Sequence, residues 1–236
     1  MTTARTQRRM DLFLKRSFDL CFSLVALVLV SPILVVVSIL IWATMGRPIF
    51  FRQVRAGKDG CRLRVWKFRT MTNDRDANGN LLFDDLRETK VGKFLRAWSL
   101  DELPQFFNVL SGTMSVVGPR PLVGRYIPRY NERQALRLTV KPGITGLAQV
   151  SGRRNLDWPR RLELDVQYIE SWSFGLDLKL ILGTFGKVFH RDGAEQSEEI
   201  EFWGNGVAGP PGIRYHPVDE DEPLPFSPTP PIDKSA

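Results

Sequence analysis

The sequence predicts an α-rich α/β domain attached to a membrane, and three observations support this fold class. Residues 20–46 carry no charged side chain, and this run exceeds the roughly 20 residues that a bilayer span requires. Apolar residues recur at helical spacing in several later segments. Two short strand-like segments flank a Gly-rich turn soon after the apolar run. The 236 residues are enough for one such domain with appendages.

The apolar run has basic residues on both sides. They are Arg5, Arg8, Arg9, Lys15 and Arg16 before it, and Arg47, Arg52, Arg55 and Lys58 after it. Cytoplasmic flanks of membrane segments tend to be basic, so both ends are expected on the cytoplasmic side. A segment that enters and leaves by one face would satisfy this expectation.

Ser31-Pro32 lies near the middle of the run and predicts a kink. Pro32 has no amide hydrogen to donate to the Val28 carbonyl, and its ring crowds that turn. The Ser31 hydroxyl can bond back to an earlier carbonyl, which makes the break tolerable in lipid. From these residues alone, a kinked hairpin and a kinked spanning helix are equally supported. A buried core helix of a soluble protein is the third alternative.

Charge is unevenly distributed along the chain. The net charge is +7, yet residues 194–236 hold nine acidic and two basic side chains, so the positive excess lies before them. Beside an apolar run, such an excess favours anionic lipid or phosphorylated substrates as partners. Eight of the sixteen prolines fall in residues 210–236. We therefore expect residues 207–236 to be a disordered acidic tail.

The order of elements follows from local patterns. The pattern of residues 1–19 predicts an amphipathic segment at the membrane interface, which leads into the membrane segment 20–46. Residues 47–206 form the remaining domain. Strands are expected at Ile49–Val54 and Leu63–Met71, around a turn at Gly57–Gly60. The predictions that follow are a polar loop at Asn73–Asp85, a helix from Thr89, a helix ending at Ser111-Gly112 and a rigid corner at Pro119–Pro121. After this corner we expect an amphipathic helix over 122–137, interrupted near Pro128, and a Gly-rich loop at Pro142–Gly152. Two more helices are expected at Leu156–Trp172 and Leu176–Phe189.

Asp101-Glu102 is the main candidate for chemistry. Two adjacent carboxylates at a helix start can bind a divalent cation with phosphate oxygens, or one can act as a nucleophile. The alternative is structural, because Ser99 with Glu102 three residues later is a capping-box pattern. Five basic residues near turns or helix ends could clamp a diphosphate: Lys67, Arg69, Arg96, Arg120 and Arg153. Each of them could equally be surface charge.

Several classes of site are disfavoured. Cys21 and Cys61 do not make a disulfide framework or a metal-ligand pattern, and His190 and His216 do not suggest a metal site or a catalytic triad. The chain has no nucleotide P-loop and no dinucleotide-binding fingerprint. Without a nucleic-acid-binding motif, the basic excess does not indicate a nucleic-acid partner.

Several collinear motifs together resemble the bacterial sugar transferase family, the monotopic phosphoglycosyl transferases. They cover about residues 12–206 and are Lys15-Arg16-Ser17-Phe18-Asp19, Ser31-Pro32, Trp66-Lys67-Phe68-Arg69-Thr70-Met71, Ser99-Leu100-Asp101-Glu102-Leu103-Pro104-Gln105, Gly118-Pro119-Arg120-Pro121, Lys141-Pro142-Gly143-Ile144-Thr145-Gly146 and Gln149-Val150-Ser151-Gly152-Arg153. The length is similar to that of the small, minimal members. The tail beyond about Gly206 has no match in them.

The resemblance implies a reaction and a membrane topology. Family members transfer a sugar 1-phosphate from a UDP-sugar to undecaprenyl phosphate and release UMP, which initiates lipid-linked glycan synthesis. Their membrane segment is a re-entrant helix-break-helix with Ser31-Pro32 at the break, so the resemblance favours the hairpin. The implied location is the cytoplasmic face of the bacterial inner membrane, with membrane lipid as a partner. Homo-oligomerisation is left open.

The resemblance also implies roles for single residues. Asp101 matches the nucleophile that forms a covalent phosphosugar intermediate. Glu102 matches a residue that, with Asp101, helps hold Mg²⁺. The basic candidates match the surroundings of the phosphate site, and Asp165 matches a further polar position there.

The donor sugar stays open at this stage. The run Asp74–Gly79 is similar to the bacillosamine-type members, so an N-acetylated amino sugar is favoured over galactose or glucose. A rival from another class is a membrane-anchored adaptor with an inactive site, which would recruit partners through its acidic tail.

Overall fold

The computed structural model describes residues 2–152 and 156–189, with side-chain surroundings for residues 11–152 and 156–186. The predicted tail at 207–236 and the candidate residue Arg153 lie outside these ranges.

The first element is a long helix, α1, which runs from Thr2 to Met45 and contains Pro32. The lead-in and the membrane segment are therefore one helix. The helix continues through Ser31-Pro32, so the predicted break is not a gap in helical structure. The predicted back-bond is confirmed, since Ser31 Oγ donates to the Val28 carbonyl at 2.8 Å.

One face of α1 packs on the rest of the protein, and the other faces are apolar and exposed. Asp19, Ser23, Val37 and Ile41 are buried on the packed face. Residues 11–45 are long and apolar enough to cross a membrane. The exposed faces carry Leu24, Val25, Val28, Leu29, Ile33, Val35, Val36, Ile39 and Trp42. A continuous apolar surface of this kind indicates membrane association.

Polar residues near the start of the apolar segment fasten α1 to distant parts of the chain. Lys15 Nζ forms a 2.6 Å ion pair with Asp177 Oδ2. Asp19 Oδ1 accepts hydrogen bonds from the Ser115 hydroxyl at 3.1 Å and from the Val116 amide at 3.0 Å. These contacts give Lys15 and Asp19 a structural role at the beginning of the apolar segment.

The β-hairpin was predicted correctly. Strand β1 (Phe50–Ala56) pairs antiparallel with β2 (Arg62–Phe68), with Phe51 opposite Lys67 and Arg55 opposite Leu63. A short 3₁₀ turn at Lys58–Gly60 joins them. Because side chains alternate along a strand, Lys67 shares the face of the buried Leu63 and Val65 and points towards the interior of the molecule.

The predicted helix after Thr89 is also present. The Thr89 hydroxyl accepts from the Gly92 amide and caps α3 (Lys90–Ala97). Helix α2 (Asp84–Arg87) precedes it and ends the polar loop. Gly92 allows α3 to approach the Thr70 carbonyl so closely that a Cβ there would lie 1.9 Å from the oxygen.

Two stretches differ from the prediction. Residues 122–137 are not one interrupted helix but a 3₁₀ segment Gly124–Arg129, a four-residue helix α5 (Glu132–Ala135) and a second 3₁₀ segment Leu136–Thr139. Pro128 and the Asn131 capping box explain the division, since each fixes a local break. The Gly-rich loop at 142–152 instead holds strand β4 (Gly143–Thr145), parallel to β3 (Ser115–Val117), and helix α6 (Leu147–Ser151).

The remaining helices are α4 (Gln105–Leu110), α7 (Trp158–Glu170) and α8 (Phe174–Phe189), close to the predicted bounds. The main core lies beneath the hairpin, where Val65, Met114 and Val117 pack with Tyr168 and Leu180. A second cluster joins Val37 and Ile41 of α1 to Phe68 and Leu95. This second cluster places the membrane helix directly against the strand and helix that frame the candidate site.

Candidate active site

The Asp101-Glu102 pair lies in a 3₁₀ turn, Leu100–Glu102, between α3 and α4. The predicted capping box is wrong: Ser99 adopts the left-handed conformation (φ 55°) and its side chain caps nothing. Asp101 is buried, with 7% of its surface exposed. The carboxylates therefore do not cap a helix, and a capping box does not explain why Glu102 occupies this position.

Two basic residues from different parts of the chain bring positive charge to these carboxylates. Lys67 Nζ, from β2, lies 3.0 Å from Glu102 Oε1 and 3.7 Å from Asp101 Oδ2. The Arg120 guanidinium contacts both oxygens of Glu102, with Nη2 at 2.8 Å and Nη1 at 3.4 Å. Glu102 is thus held between two cations, while Asp101 has one longer ionic contact within the described part of the chain.

This asymmetry separates the pKa values of the two carboxyls. Burial raises the pKa of Asp101, and the charge of Lys67 opposes that rise only in part. Burial would also raise the pKa of Glu102, but Arg120 and Lys67 outweigh it and hold that pKa well below its usual range. Glu102 is a fixed anion in an ion-pair network, whereas Asp101 is less strongly neutralised and is the more basic carboxylate.

Arg96 also acts on this centre. Its positive charge lowers the pKa of Asp101. Its Nε donates to the Thr70 hydroxyl at 3.1 Å, and its Nη1 lies 3.4 Å from Glu88 Oε1. The structure therefore brings Lys67, Arg96 and Arg120 together around the two carboxylates.

Two other candidate residues make their closest contacts elsewhere. The Arg69 guanidinium donates to the Met45, Gly46 and Arg47 carbonyls at the end of α1, where a cation also suits the helix dipole. Asp165 forms a buried ion pair with Arg137, with Oδ2 2.9 Å from Nη2 and 3.2 Å from Nε. Both residues still line the same cleft as Asp101.

That cleft has a volume of about 1470 Å³. Its polar part contains Lys67, Asp101 and Glu102. Its apolar part contains Phe22 of α1, Phe106 of α4 and Ile181 of α8. The two carboxylates therefore share one continuous cleft with apolar side chains from α1, α4 and α8.

A divalent cation fits this chemistry through few protein ligands. No cluster of three or more Asp, Glu, His or Cys side chains suited to a metal occurs within the described part of the chain. Mg²⁺ commonly binds through one or two carboxylates together with substrate phosphates and water. Asp101, buried and only partly neutralised, is the kind of oxygen ligand that an added cation would stabilise.

Sequence reasoning missed Arg137 and Gln149. Arg137 lies in the stretch that was read as one amphipathic helix, and nothing local marks it as buried. Its Nη2 donates to the Arg120 carbonyl at 2.6 Å, so it supports the backbone that presents Arg120. Gln149 was noted only as part of a motif, although it lines the cleft and both of its amide atoms are buried without a hydrogen-bond partner in the described part of the chain.

Comparison with known proteins gives a consistent result. Residues 10–191 match the family model described as bacterial sugar transferase. The chain is 46% identical over 198 residues to the uncharacterized sugar transferase EpsL of Bacillus subtilis, covering 83% of this chain and 98% of that one. It is 48% identical to a UDP-glucose:undecaprenyl-phosphate glucose-1-phosphate transferase of Klebsiella pneumoniae, over 76% of this chain and 41% of that one.

A third relative is the undecaprenyl-phosphate galactose phosphotransferase of Salmonella typhimurium, which is 38% identical over 79% of this chain and 43% of its own length. The chain thus spans about two fifths of the relatives whose names state a reaction, and almost the whole of EpsL. The family match begins within α1, ends just beyond α8 and includes every cleft residue discussed above. The chain therefore belongs to the bacterial sugar transferase family.

Proposed function

We propose that the protein transfers a sugar 1-phosphate from a UDP-sugar to undecaprenyl phosphate with release of UMP, and so initiates lipid-linked glycan synthesis. The observation that carries the proposal is the pairing of a buried, incompletely neutralised Asp101 with a Glu102 held between Lys67 and Arg120. The names of the Klebsiella and Salmonella relatives support the reaction class.

The proposed chemistry has two displacements at one phosphorus atom. A carboxylate oxygen of Asp101 attacks the β-phosphorus, the bond from that phosphorus to the bridging oxygen breaks, and UMP leaves with the bridging oxygen. The product is a phosphosugar joined to Asp101 as an acyl phosphate. An oxygen of undecaprenyl phosphate then attacks the same phosphorus, and the Asp101 carboxylate is regenerated. One site thereby serves a water-soluble donor and a lipid acceptor in turn.

The basic residues offset the charge that gathers in the first displacement. An anionic nucleophile approaches a diphosphate, and charge develops on the departing UMP. Lys67 contacts Asp101, Arg120 is held by Glu102, and Arg96 contributes further positive charge. Mg²⁺, held by Asp101 and Glu102, would supply additional charge neutralisation at the phosphates.

The membrane side of the proposal concerns the acceptor. The apolar part of the cleft, next to α1 and α8, suits a polyprenyl chain whose phosphate reaches Asp101.

We propose that α1 follows a re-entrant course at the inner membrane, so that its basic flanks and the catalytic domain share the cytoplasmic face. The basic residues on both flanks support this topology.

The donor sugar remains the least constrained part. The names of the relatives specify glucose or galactose, which gives these hexoses priority over the N-acetylated amino sugar that the sequence favoured. All three belong in the first donor panel.

The test is UMP release from UDP-glucose, UDP-galactose and UDP-N-acetylglucosamine, with undecaprenyl phosphate and Mg²⁺, by the full chain in lipid nanodiscs. Wild type should release UMP with at least one donor, and Asp101→Asn should lose this activity while Asp59→Asn, an exposed turn position, keeps it. With donor labelled in the sugar and undecaprenyl phosphate left out, label should remain on wild-type protein and not on Asp101→Asn. Normal turnover by Asp101→Asn would remove the nucleophile assignment.

The adaptor alternative predicts a different pattern. In that case no donor would release UMP, and deletion of residues 207–236 rather than substitution of Asp101 would abolish biological activity.

A further inference from the structure

Among the residues that line the cleft, Gln149 and Asp165 carry three buried polar atoms that have no hydrogen-bond partner in the described part of the chain. They are Oδ1 of Asp165 and both amide atoms of Gln149, Oε1 and Nε2. Asp165 is only 2% exposed, and both residues line the cleft that holds Asp101. Buried polar groups are nearly always paired in folded proteins, so unpaired ones on residues that line a cleft point to a ligand.

The surrounding contacts hold Asp165 in a defined orientation. Its other oxygen, Oδ2, is fixed by Nε and Nη2 of Arg137. Arg137 Nη2 also donates to the carbonyl of Arg120, whose side chain contacts Glu102. Helix α6, which carries Gln149, packs on α7, which carries Asp165. Hydrogen bonds thus link Asp165, through Arg137 and Arg120, to Glu102.

The types of atom restrict what can bind. Asp165 Oδ1 and Gln149 Oε1 are acceptors, and Gln149 Nε2 is a donor. A phosphate offers only acceptors, so it could pair with Gln149 Nε2 but not with Asp165 Oδ1 or Gln149 Oε1. The matching ligand is an uncharged polar group that both donates and accepts hydrogen bonds.

We propose that Gln149 and Asp165 bind the uncharged polar part of the nucleotide-sugar donor and contribute to donor recognition. Two parts of that molecule have the required chemistry: the sugar hydroxyls, and the uracil edge with its N3–H donor beside carbonyl acceptors. The inference rests on the proposed function, and it assigns Asp165 to a hydroxyl or a base instead of a phosphate.

The experiment measures binding in the absence of turnover. Full-length protein carrying Asp101→Asn, in nanodiscs, is titrated calorimetrically with UMP, UDP-glucose and UDP-galactose. Gln149→Met removes the amide at nearly constant volume. Asp165→Asn can keep an oxygen towards Arg137 while it presents an amide donor to the cleft. The matched control is Gln167→Met on α7, whose amide bonds to Glu163 and which does not line the cleft.

The two sources give different results. If the uracil is bound, both variants weaken UMP and the UDP-sugars alike by about tenfold, the loss expected for one or two hydrogen bonds. If the sugar is bound, UMP affinity stays within twofold while UDP-glucose and UDP-galactose weaken by about tenfold. Gln167→Met should change neither.

The inference is overturned if Gln149→Met and Asp165→Asn bind all three ligands within twofold of their parent. Should Asp165→Asn fail to fold, because its ion pair with Arg137 is buried, Gln149→Met decides alone. Failure of the proposed function looks different, since then the protein with native Asp101 would release no UMP from any donor.

Discussion

Lys15 and Asp177 are 162 residues apart in sequence, yet Lys15 Nζ lies 2.6 Å from Asp177 Oδ2. Asp177 is 1% exposed and also accepts from the Tyr168 hydroxyl at 2.8 Å and from the Trp172 indole at 3.2 Å. The pair joins the membrane helix α1 to the last described helix, α8. Both helices contribute side chains to the cleft, among them Phe22 of α1 and Ile181 of α8.

Lys15→Met should therefore destabilise the fold. Removing the cation leaves a buried carboxylate with two neutral donors, and breaking a buried ion pair in this way costs about 3 kcal/mol. The free energy of unfolding, from denaturant titration in detergent micelles, measures the effect. Lys90→Met is the control, because Lys90 is exposed at the start of α3. If Lys15→Met and Asp177→Asn have strictly additive effects in the double variant, the pair is not coupled and this account is wrong.

Lys67→Met should move the acid limb of the pH profile of kcat/KM to higher pH. Asp101 must be ionised to attack phosphorus, and burial raises its pKa while Lys67 lowers it. Without Lys67 the pKa of Asp101 rises further, so more alkaline solution is needed to ionise it. The profile is recorded from UMP release. Arg64→Met, on the exposed face of the same strand, should leave the acid limb unchanged. If the acid limb does not shift in Lys67→Met, the group whose titration produces that limb is not Asp101.

Gly92→Ala should destabilise the protein by about 2 kcal/mol, a typical cost of overpacking. Alanine is the better helix former by about 1 kcal/mol, so propensity alone predicts the opposite sign. The new Cβ would meet the Thr70 carbonyl and push α3 away from the end of β2. Gly175→Ala, whose Cβ would meet nothing within 4 Å, is the helical control and should be neutral or slightly stabilising. Stabilisation by Gly92→Ala would show that α3 and Thr70 are not in close contact.

A re-entrant α1 places residues near both ends of the apolar run on one side of the membrane. In a Cys21→Ser background, the native Cys61 and, separately, Thr3→Cys with Cys61→Ser are labelled with a membrane-impermeant maleimide in sealed vesicles of both orientations. Both positions should react in inside-out vesicles and be protected in right-side-out vesicles. Reaction from opposite sides would mean that α1 spans the bilayer.

Local sequence signals were sufficient for much of the fold. The end of the apolar run, the hairpin around residues 57–60 and the start of the helix near Thr89 were predicted within a few residues of their observed bounds. Helices α7 and α8 were predicted equally well, because each has a continuous apolar face with regular spacing. The stretches at 122–137 and 142–152 were not, since their short elements depend on Pro128, the Asn131 cap and pairing with β3.

The sequence by itself determined that this chain has a membrane-seeking helix, a hairpin and a pair of adjacent carboxylates, since periodicity, turn residues and charge are local properties. Only the tertiary structure decided that Glu102 binds Lys67 and Arg120 instead of capping a helix, and that Asp165 pairs with Arg137. These partners lie 18–35 residues apart in the chain. Their contacts exist because buried charges must find opposite charges, and packing of the core determines which ones come within reach.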